Sequence, residues 1–99
     1  MEEIRKQAVE FGRELAREYI NIITKNKLSY YVDSRKSIMK RARRKFKIPA
    51  WRQIPKIILF LTYRSMRTEL RRNGFDYELD GSNIIIYKKS ESYLNDNIC

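Results

Sequence analysis

An Asp-Gly pair between two alternating apolar segments places the strongest restriction on what this chain can fold into. Asp80-Gly81 separates residues 75–79 from residues 84–86, and in that setting the pair predicts the two-residue type I′ turn of a β-hairpin. Such a turn pairs Leu79 with Ser82. Because alternate strand residues share a face, this register predicts one buried face, which carries Phe75, Tyr77, Leu79, Ile84 and Ile86.

Residues 2–25 predict a long amphipathic helix. Apolar residues recur there every three or four positions, the helical spacing, at Ile4, Ala8, Phe11, Leu15, Tyr19 and Ile22. A second apolar line widens the buried face, through Val9, Ala16, Ile20 and Ile23. This helix could bury both lines within its own chain or use one as the seam of a homodimer.

A short strand and a second helix are predicted next. Leu28, Tyr30 and Val32 alternate with other residues and indicate a strand over residues 28–32. Asp33 or Ser34 offers an N-cap for a helix that continues to about residue 46. The apolar arc of this helix is narrow and consists of Ile38, Met39, Ala42 and Phe46.

A third helix is predicted to end at Arg72, before Asn73-Gly74. It begins either near Trp51 or at Pro55, since proline suits the first turn of a helix. A polar stripe on this helix carries Arg64, Arg67 and Arg71.

Together these elements predict an α+β fold with three helices and a C-terminal β-hairpin, in the order α-β-α-α-β-β. A chain of 99 residues suits one domain, which we place at residues 1–89. Residues 90–99 are predicted to form a polar C-terminal tail. The one cysteine, Cys99, lies in that tail and rules out an internal disulfide.

Positive charge is concentrated in the middle of the chain. The formal net charge is +10. Residues 34–72 contain fourteen Lys and Arg but one acid, Glu69, whereas residues 1–33 are neutral and residues 73–99 are net negative. Such asymmetry points to a nucleic-acid or other acidic partner. The alternative is a solvated basic face without a ligand, as in proteins from very hot environments.

The predicted nucleic-acid-binding residues come from three segments. The second helix contributes Lys36, Lys40, Arg41, Arg43, Arg44 and Lys47, the third contributes Arg64, Arg67 and Arg71, and the hairpin contributes Lys88 and Lys89. Candidate stacking contacts for bases are Tyr30, Tyr31, Tyr87 and Trp51. Tyr19, Tyr63 and Tyr77 fall on core-facing positions and are predicted to serve packing.

Catalytic sites and metal sites are not expected. The chain has no histidine, which excludes imidazole base catalysis and histidine ligands. Asp76, Glu78 and Asp80 could resemble a metal-dependent nuclease cluster, but we interpret them as solvent-facing strand residues. We therefore predict no catalytic residues, no metal, no cofactor and no enzyme activity.

An intracellular location is predicted. The longest apolar run, residues 57–61, is too short to cross a membrane, which takes about 20 residues. The acidic opening Met1-Glu2-Glu3 does not have the layout of a signal peptide.

The order of predicted elements resembles the winged-helix family of DNA-binding proteins. The resemblance covers residues 1–89 in topology alone. It implies that the third helix enters the major groove with its arginine stripe facing DNA, that the second helix meets phosphates, and that the hairpin is the wing. The chain departs from the family in its long, apolar third helix and in the acidic hairpin tip at residues 80–83.

The composition is also similar to that of small orphan proteins of crenarchaeal filamentous and rod-shaped viruses. The chain is short, rich in Ile, Tyr, Lys and Arg, and free of histidine. This similarity implies a thermostable product of a double-stranded DNA virus, made in the host cytoplasm, with a novel fold as the alternative to a winged helix.

The leading hypothesis is a non-catalytic protein that binds double-stranded DNA through phosphates contacted by residues 34–72, and that acts as a viral regulator. One alternative is a structural or protein-interaction protein that forms a homodimer through residues 2–25. Another is an RNA-binding protein.

Overall fold

A computed structural model describes residues 2–89 of the chain, and it confirms the predicted α+β class and the predicted order of elements. The helices and strands are α1 (Glu2–Lys25), β1 (Tyr30–Ser34), α2 (Arg35–Phe46), α3 (Lys56–Arg72), β2 (Phe75–Asp80) and β3 (Asn83–Lys88). The predicted polar tail, residues 90–99 with Cys99, lies outside the described residues.

Helices α1 and α3 pack closely at Gly12. A Cβ atom there would overlap the Ser65 hydroxyl oxygen and the Thr62 carbonyl oxygen, so only glycine lets the two helices approach this far. The Ser65 hydroxyl donates to the Val9 carbonyl at 2.8 Å and the Thr62 hydroxyl to the Ala8 carbonyl at 3.4 Å. The polar residues between the helices therefore have hydrogen-bond partners.

The apolar positions of α1 pack within the chain. Seven α1 residues are buried, namely Ala8, Phe11, Gly12, Leu15, Ala16, Tyr19 and Ile23. Ile4, near the start of the helix, is the exception, because it remains exposed. Both apolar lines of this helix therefore pack largely against α3, the sheet and α2. The contact with α2 includes Phe46, whose ring meets the Phe11 ring edge-to-face with the ring centres 6.1 Å apart.

The three strands form one antiparallel sheet in the order β1-β3-β2. The hairpin turn consists of Gly81 and Ser82, so Leu79 pairs with Ile84, and the predicted register was wrong by two residues. A shift of two leaves every side chain on its predicted face, and Phe75, Tyr77, Ile84 and Ile86 are buried as expected. Leu79 is the exception, because it lies at the end of the sheet and is exposed.

Strand β1 begins at Tyr30, two residues later than predicted. Leu28, Tyr30 and Val32, whose alternation indicated the strand, are exposed. Tyr31 faces inward, where its ring lies 5.8 Å from that of Tyr19. Asp33 also faces inward and accepts a hydrogen bond from the Tyr19 hydroxyl at 2.6 Å. A polar residue on the inner face is thus satisfied, while apolar ones lie outside.

Helix α2 starts directly where β1 ends. The Ser34 hydroxyl accepts the Ser37 N–H at 3.0 Å, which confirms Ser34 as the N-cap. The helix ends at Lys47 in the left-handed conformation (φ 55°), two residues before Pro49. Helix α3 begins at Lys56 with Pro55 as its N-cap, which agrees with the later of the two predicted starts.

Candidate nucleic-acid interface

Helix α2 presents a row of cations to solvent because its apolar residues occupy one narrow side. Ile38 and Ala42 are fully buried and fix the orientation of the helix, and the helix itself contains no acidic residue. Five basic residues lie on the side away from the core, and we refer to them as the α2 outer face: Lys36, Lys40, Arg43, Arg44 and Lys47.

None of these five cations forms an ion pair with a carboxylate of residues 2–89. Arg43 is half-buried, and its guanidinium donates to the backbone carbonyls of Pro49 (2.7 Å) and Arg52. Carbonyl oxygens hold this side chain in place but leave its full charge uncompensated. Lys36, Lys40 and Arg43 line one shallow groove.

Two other cations of α2 lie against α1 and are paired. Arg41 binds Glu18 at 2.6 Å, and Lys45 lies 3.6 Å from Glu14. Arg41 was one of the predicted binding residues, but its charge is already paired with the carboxylate of Glu18 on α1. Exposed pairs of this kind contribute at most about 1 kcal/mol to stability.

The arginine stripe of α3 is arranged differently, because two of its members converge on one buried carboxylate. Arg67 Nε and Arg71 Nε each lie 3.1 Å from an oxygen of Asp76. Lys89 Nζ lies 3.9 Å from the same carboxylate. We call these four residues the Asp76 cluster.

Asp76 is held in its charged form within this cluster. The residue is only 5% exposed, and burial alone would raise the pKa of its carboxyl group. The Tyr77 backbone N–H, which donates to it at 2.8 Å, and the neighbouring Arg71 and Arg67 outweigh burial, so the pKa of Asp76 is lowered.

Arg67 is the most constrained arginine of the stripe. Besides Asp76 it donates to the Tyr77 carbonyl at 2.9 Å, and its guanidinium carbon lies 4.1 Å from the centre of the Tyr77 ring. The third member, Arg64, is exposed, has no carboxylate partner among residues 2–89, and lies over the Phe60 ring at 5.9 Å. The stripe therefore contains one unpaired cation and two that help to hold β2 against α3.

The interpretation of Asp76 as a solvent-facing strand residue was wrong. Glu78 and Asp80 are exposed, but Asp76 is buried at the start of β2. The sequence did contain a signal for this pairing, because Asp76 follows Arg71 by five residues across a turn at Gly74. Glycine at that position takes a φ of 83°, which lets the chain reverse sharply and brings the two side chains together.

The hairpin lysines lie at the far end of the sheet from the start of α2. Lys88 is exposed and pairs with Phe75, whereas the opposite end of β3, at Asn83, pairs with Ser34. At about 3.4 Å per residue the two ends of β3 are roughly 17 Å apart. Lys88 and Lys89 therefore lie beside the end of α3 and not beside the first turn of α2.

The hairpin tip contacts α2. The Arg35 N–H donates to the Ser82 carbonyl at 2.8 Å, and the Arg35 guanidinium donates to the Gly81 carbonyl at 3.3 Å. The tip does not extend past the neighbouring strand, since Ser34 of β1 pairs with the first residue of β3. In this respect the hairpin differs from the projecting wing that the resemblance to winged-helix proteins implies.

The aromatic residues divide largely as predicted. Tyr19 and Tyr77 are buried and Tyr63 is half-buried, and burial raises the pKa of each of their hydroxyl groups. Among the candidate stacking residues, Trp51 is 85% and Tyr30 59% exposed. The other two candidates, Tyr31 and Tyr87, are half-buried.

Within residues 2–89, no helix is both long enough and apolar enough to cross a membrane. In the same part of the chain, no group of three or more His, Cys, Asp or Glu side chains is placed to hold a metal ion. Comparisons with protein-family models, with curated proteins and with solved structures found no match to this chain.

Proposed function

We propose that the protein is a non-catalytic nucleic-acid-binding protein that holds the phosphates of double-stranded DNA on the α2 outer face. The observation that carries this proposal is the absence of any carboxylate, among residues 2–89, paired with Lys36, Lys40, Arg43, Arg44 or Lys47. Unpaired cations gain most from a phosphate, because they release no existing ion pair when they bind it.

The spacing of these cations suits a row of phosphates better than a single small anion. Lys36, Lys40 and Arg44 recur every four residues along a helix of 12 residues, which spans about 18 Å, and Lys47 follows as its C-cap. Sequence-independent binding of DNA depends on several such phosphate contacts and on the counterions that they release.

The proposal revises the expected role of α3. Arg67, Arg71 and Lys89 are engaged by Asp76, so we assign them a structural role and leave Arg64 and Lys88 as peripheral cations. An origin in an archaeal virus, heat stability and an intracellular location stay predictions. So does a homodimer through residues 2–25, to which the burial of α1 within the chain gives little support.

A salt titration tests the proposal. We expect log affinity for a DNA duplex to fall linearly with log salt concentration, with a slope of about −0.9 for each phosphate contacted. Negligible affinity at low salt would refute DNA binding, and an affinity that does not change with salt would refute binding through phosphates. An RNA duplex measured in parallel distinguishes RNA binding from DNA binding.

Two variants of equal charge locate the interface. The triple variant Lys36→Ala, Lys40→Ala, Arg44→Ala should lose about tenfold in affinity per contact near 0.1 M salt, or roughly 1000-fold in total. The matched control replaces three exposed cations elsewhere, Lys6, Lys25 and Lys27, by alanine. Equal losses in both variants would show that total charge matters and α2 does not.

A protein-interaction role is the second candidate, and a different observation favours it. Three exposed apolar residues lie close together in the chain: Tyr30 and Val32 on the edge strand β1, and Leu28 two residues before that strand. Exposed apolar residues that form a continuous patch are typical of a surface that contacts another protein.

A further inference from the structure

Trp51 is presented to solvent on a short turn that the fold holds in place. The Arg52 N–H closes this turn by donating to the Pro49 carbonyl at 3.0 Å. Trp51 is 85% exposed, whereas Ile54, three residues later, is buried in the core. The indole ring therefore projects from a segment that is itself anchored to the domain.

Arg43 fastens this turn to the α2 outer face. Its guanidinium donates to the Pro49 carbonyl at 2.7 Å and also to the Arg52 carbonyl, and these two residues are the first and the last of the turn. Because one side chain binds both ends of the turn, Trp51 has a defined position relative to the cations of α2.

The surroundings of Trp51 are basic. Lys47 and Arg52 line one groove, and neither of them forms an ion pair with a carboxylate of residues 2–89. Among residues 40–56, Trp51 is the only large apolar side chain that is exposed. The ring is thus a lone aromatic group beside unpaired cations.

These surroundings favour a nucleobase as the ligand over a protein or a lipid surface. A protein contact takes a continuous apolar patch, which a lone ring among cations does not provide. A lipid surface takes a helix whose apolar side enters the membrane, but Ile38 and Ala42 of α2 are buried in the core. Proteins that bind single-stranded nucleic acid combine aromatic rings that stack on bases with cations that follow the backbone.

We propose that Trp51 stacks on an unpaired base, so that the preferred ligand is a duplex that continues into a single strand. This inference rests on the proposed DNA binding by the α2 outer face. Within a duplex each base is covered on both faces by its neighbours, so the indole ring reaches a base only where that stacking is interrupted. The α2 outer face then holds phosphates of the duplex, and Trp51, four residues beyond Lys47, holds a base of the single strand.

The first test uses the fluorescence of Trp51, which is the one tryptophan of the chain. Three DNAs are titrated into the full chain: a blunt duplex, the same duplex with a fork of two unpaired strands, and that fork with abasic sites in place of its bases. Stacking on a base quenches indole fluorescence, so we expect stronger quenching by the normal fork than by the abasic fork. Equal quenching by the two forks would overturn the inference.

Vesicles of phosphatidylglycerol test the lipid alternative in the same assay. We expect no shift of the Trp51 emission with these vesicles. A shift to shorter wavelength with vesicles, together with no response to the normal fork, would assign the ring to a lipid surface and overturn the inference.

The second test compares affinities, measured by the anisotropy of a dye on the DNA. The two forks carry equal numbers of phosphates, so a difference between them isolates the contribution of the bases. The normal fork should bind about tenfold more tightly, which is in the lower part of the range for one stacked base. This ratio should change little with salt, because stacking on a base releases no counterions, whereas both affinities should fall as salt rises.

The affinities also separate this inference from the proposed function. Equal affinities for the two forks, with binding that still weakens as salt rises, would refute stacking by Trp51 and leave phosphate binding intact. Failure to bind any of the three DNAs would refute both proposals.

Variants at Trp51 test the side chain itself. Trp51→Leu keeps an apolar side chain but has no ring, so it should bind both forks equally, whereas Trp51→Phe should keep most of the preference for the normal fork. Phe60→Leu removes another exposed aromatic ring, on α3, and is the matched control that should keep the preference. Circular dichroism checks that all three variants are folded. A preference that survives in folded Trp51→Leu would contradict the proposal.

Discussion

The α2 outer face and the Asp76 cluster contain the same kinds of side chain in opposite circumstances. On α2, five cations lie on a helix without acids and form no ion pair within residues 2–89. In the cluster, Arg67 and Arg71 surround one buried carboxylate. The comparison teaches that a count of basic residues does not identify a binding surface, because what matters is which charges the fold has already compensated.

The largest expected effect is the loss of stability on removal of Asp76. Asp76→Ala removes the acceptor of the buried Tyr77 N–H and the shared partner of three cations. It should lower the free energy of unfolding by about 2 kcal/mol, most of it from the hydrogen bonds to the buried carboxylate, because the exposed cations are screened by solvent. Denaturation in urea measures it. Glu78→Ala, an exposed acid on the same strand, is the control and should change stability by less than about 0.5 kcal/mol. If Asp76→Ala and Glu78→Ala lowered stability equally, the Asp76 cluster would not be a stabilising ion-pair site.

Smaller effects are expected when one cation of each region is replaced: one variant should lose stability and the other should lose DNA affinity. Arg67→Ala should cost about 1.5 kcal/mol of stability, because it loses hydrogen bonds to Asp76 and to the Tyr77 carbonyl, and should change DNA affinity little. Lys40→Ala should do the reverse, with near-native stability and about tenfold weaker binding near 0.1 M salt. The comparison fails if Arg67→Ala weakens binding more than Lys40→Ala in folded protein.

The smallest expected effect is a pH dependence of stability that comes from Asp76. Its pKa is lowered on folding, so its contribution is present above the ordinary value of 3.8 and is lost as pH falls through the lower folded value. A single group changes stability by at most about 1.4 kcal/mol per pH unit. The gap in unfolding free energy between the natural chain and Asp76→Asn should therefore narrow below about pH 3.8; a gap that stays constant would show that Asp76 is not charged in the fold.

Much of the fold could be predicted because its signals are local. The spacing of apolar residues in α1 and the Ser34 cap of α2 depend on neighbouring residues, and the structure has both. The register of the hairpin could not be predicted in this way, because a shift of two residues preserves the face of every side chain. The inner face of β1 could not be identified from the strand alone, because it includes the polar Asp33, whose partner Tyr19 lies on helix α1.

The candidate site also has a part that local sequence signals predicted and a part that depends on contacts between distant residues. The α2 cations were found because they lie on one continuous helix whose own apolar residues orient it. The pairing of Arg67 and Arg71 with Asp76 depends on where the end of α3 lies relative to β2, which is a property of the folded chain. Charge counted over residues 34–72 therefore overstated what α3 offers to a phosphate.

Ser34 is both the last residue of β1 and the N-cap of α2, so no loop separates the sheet from the basic helix. Loops between elements usually tolerate changes in length, but no loop residue lies between β1 and α2. One residue inserted after Ser34 would turn α2 by about 100° relative to the sheet. That rotation would bring Ile38 out of the core and point lysines toward it, so we expect the length of this junction to be fixed while the sequence of the α2 outer face varies among cations.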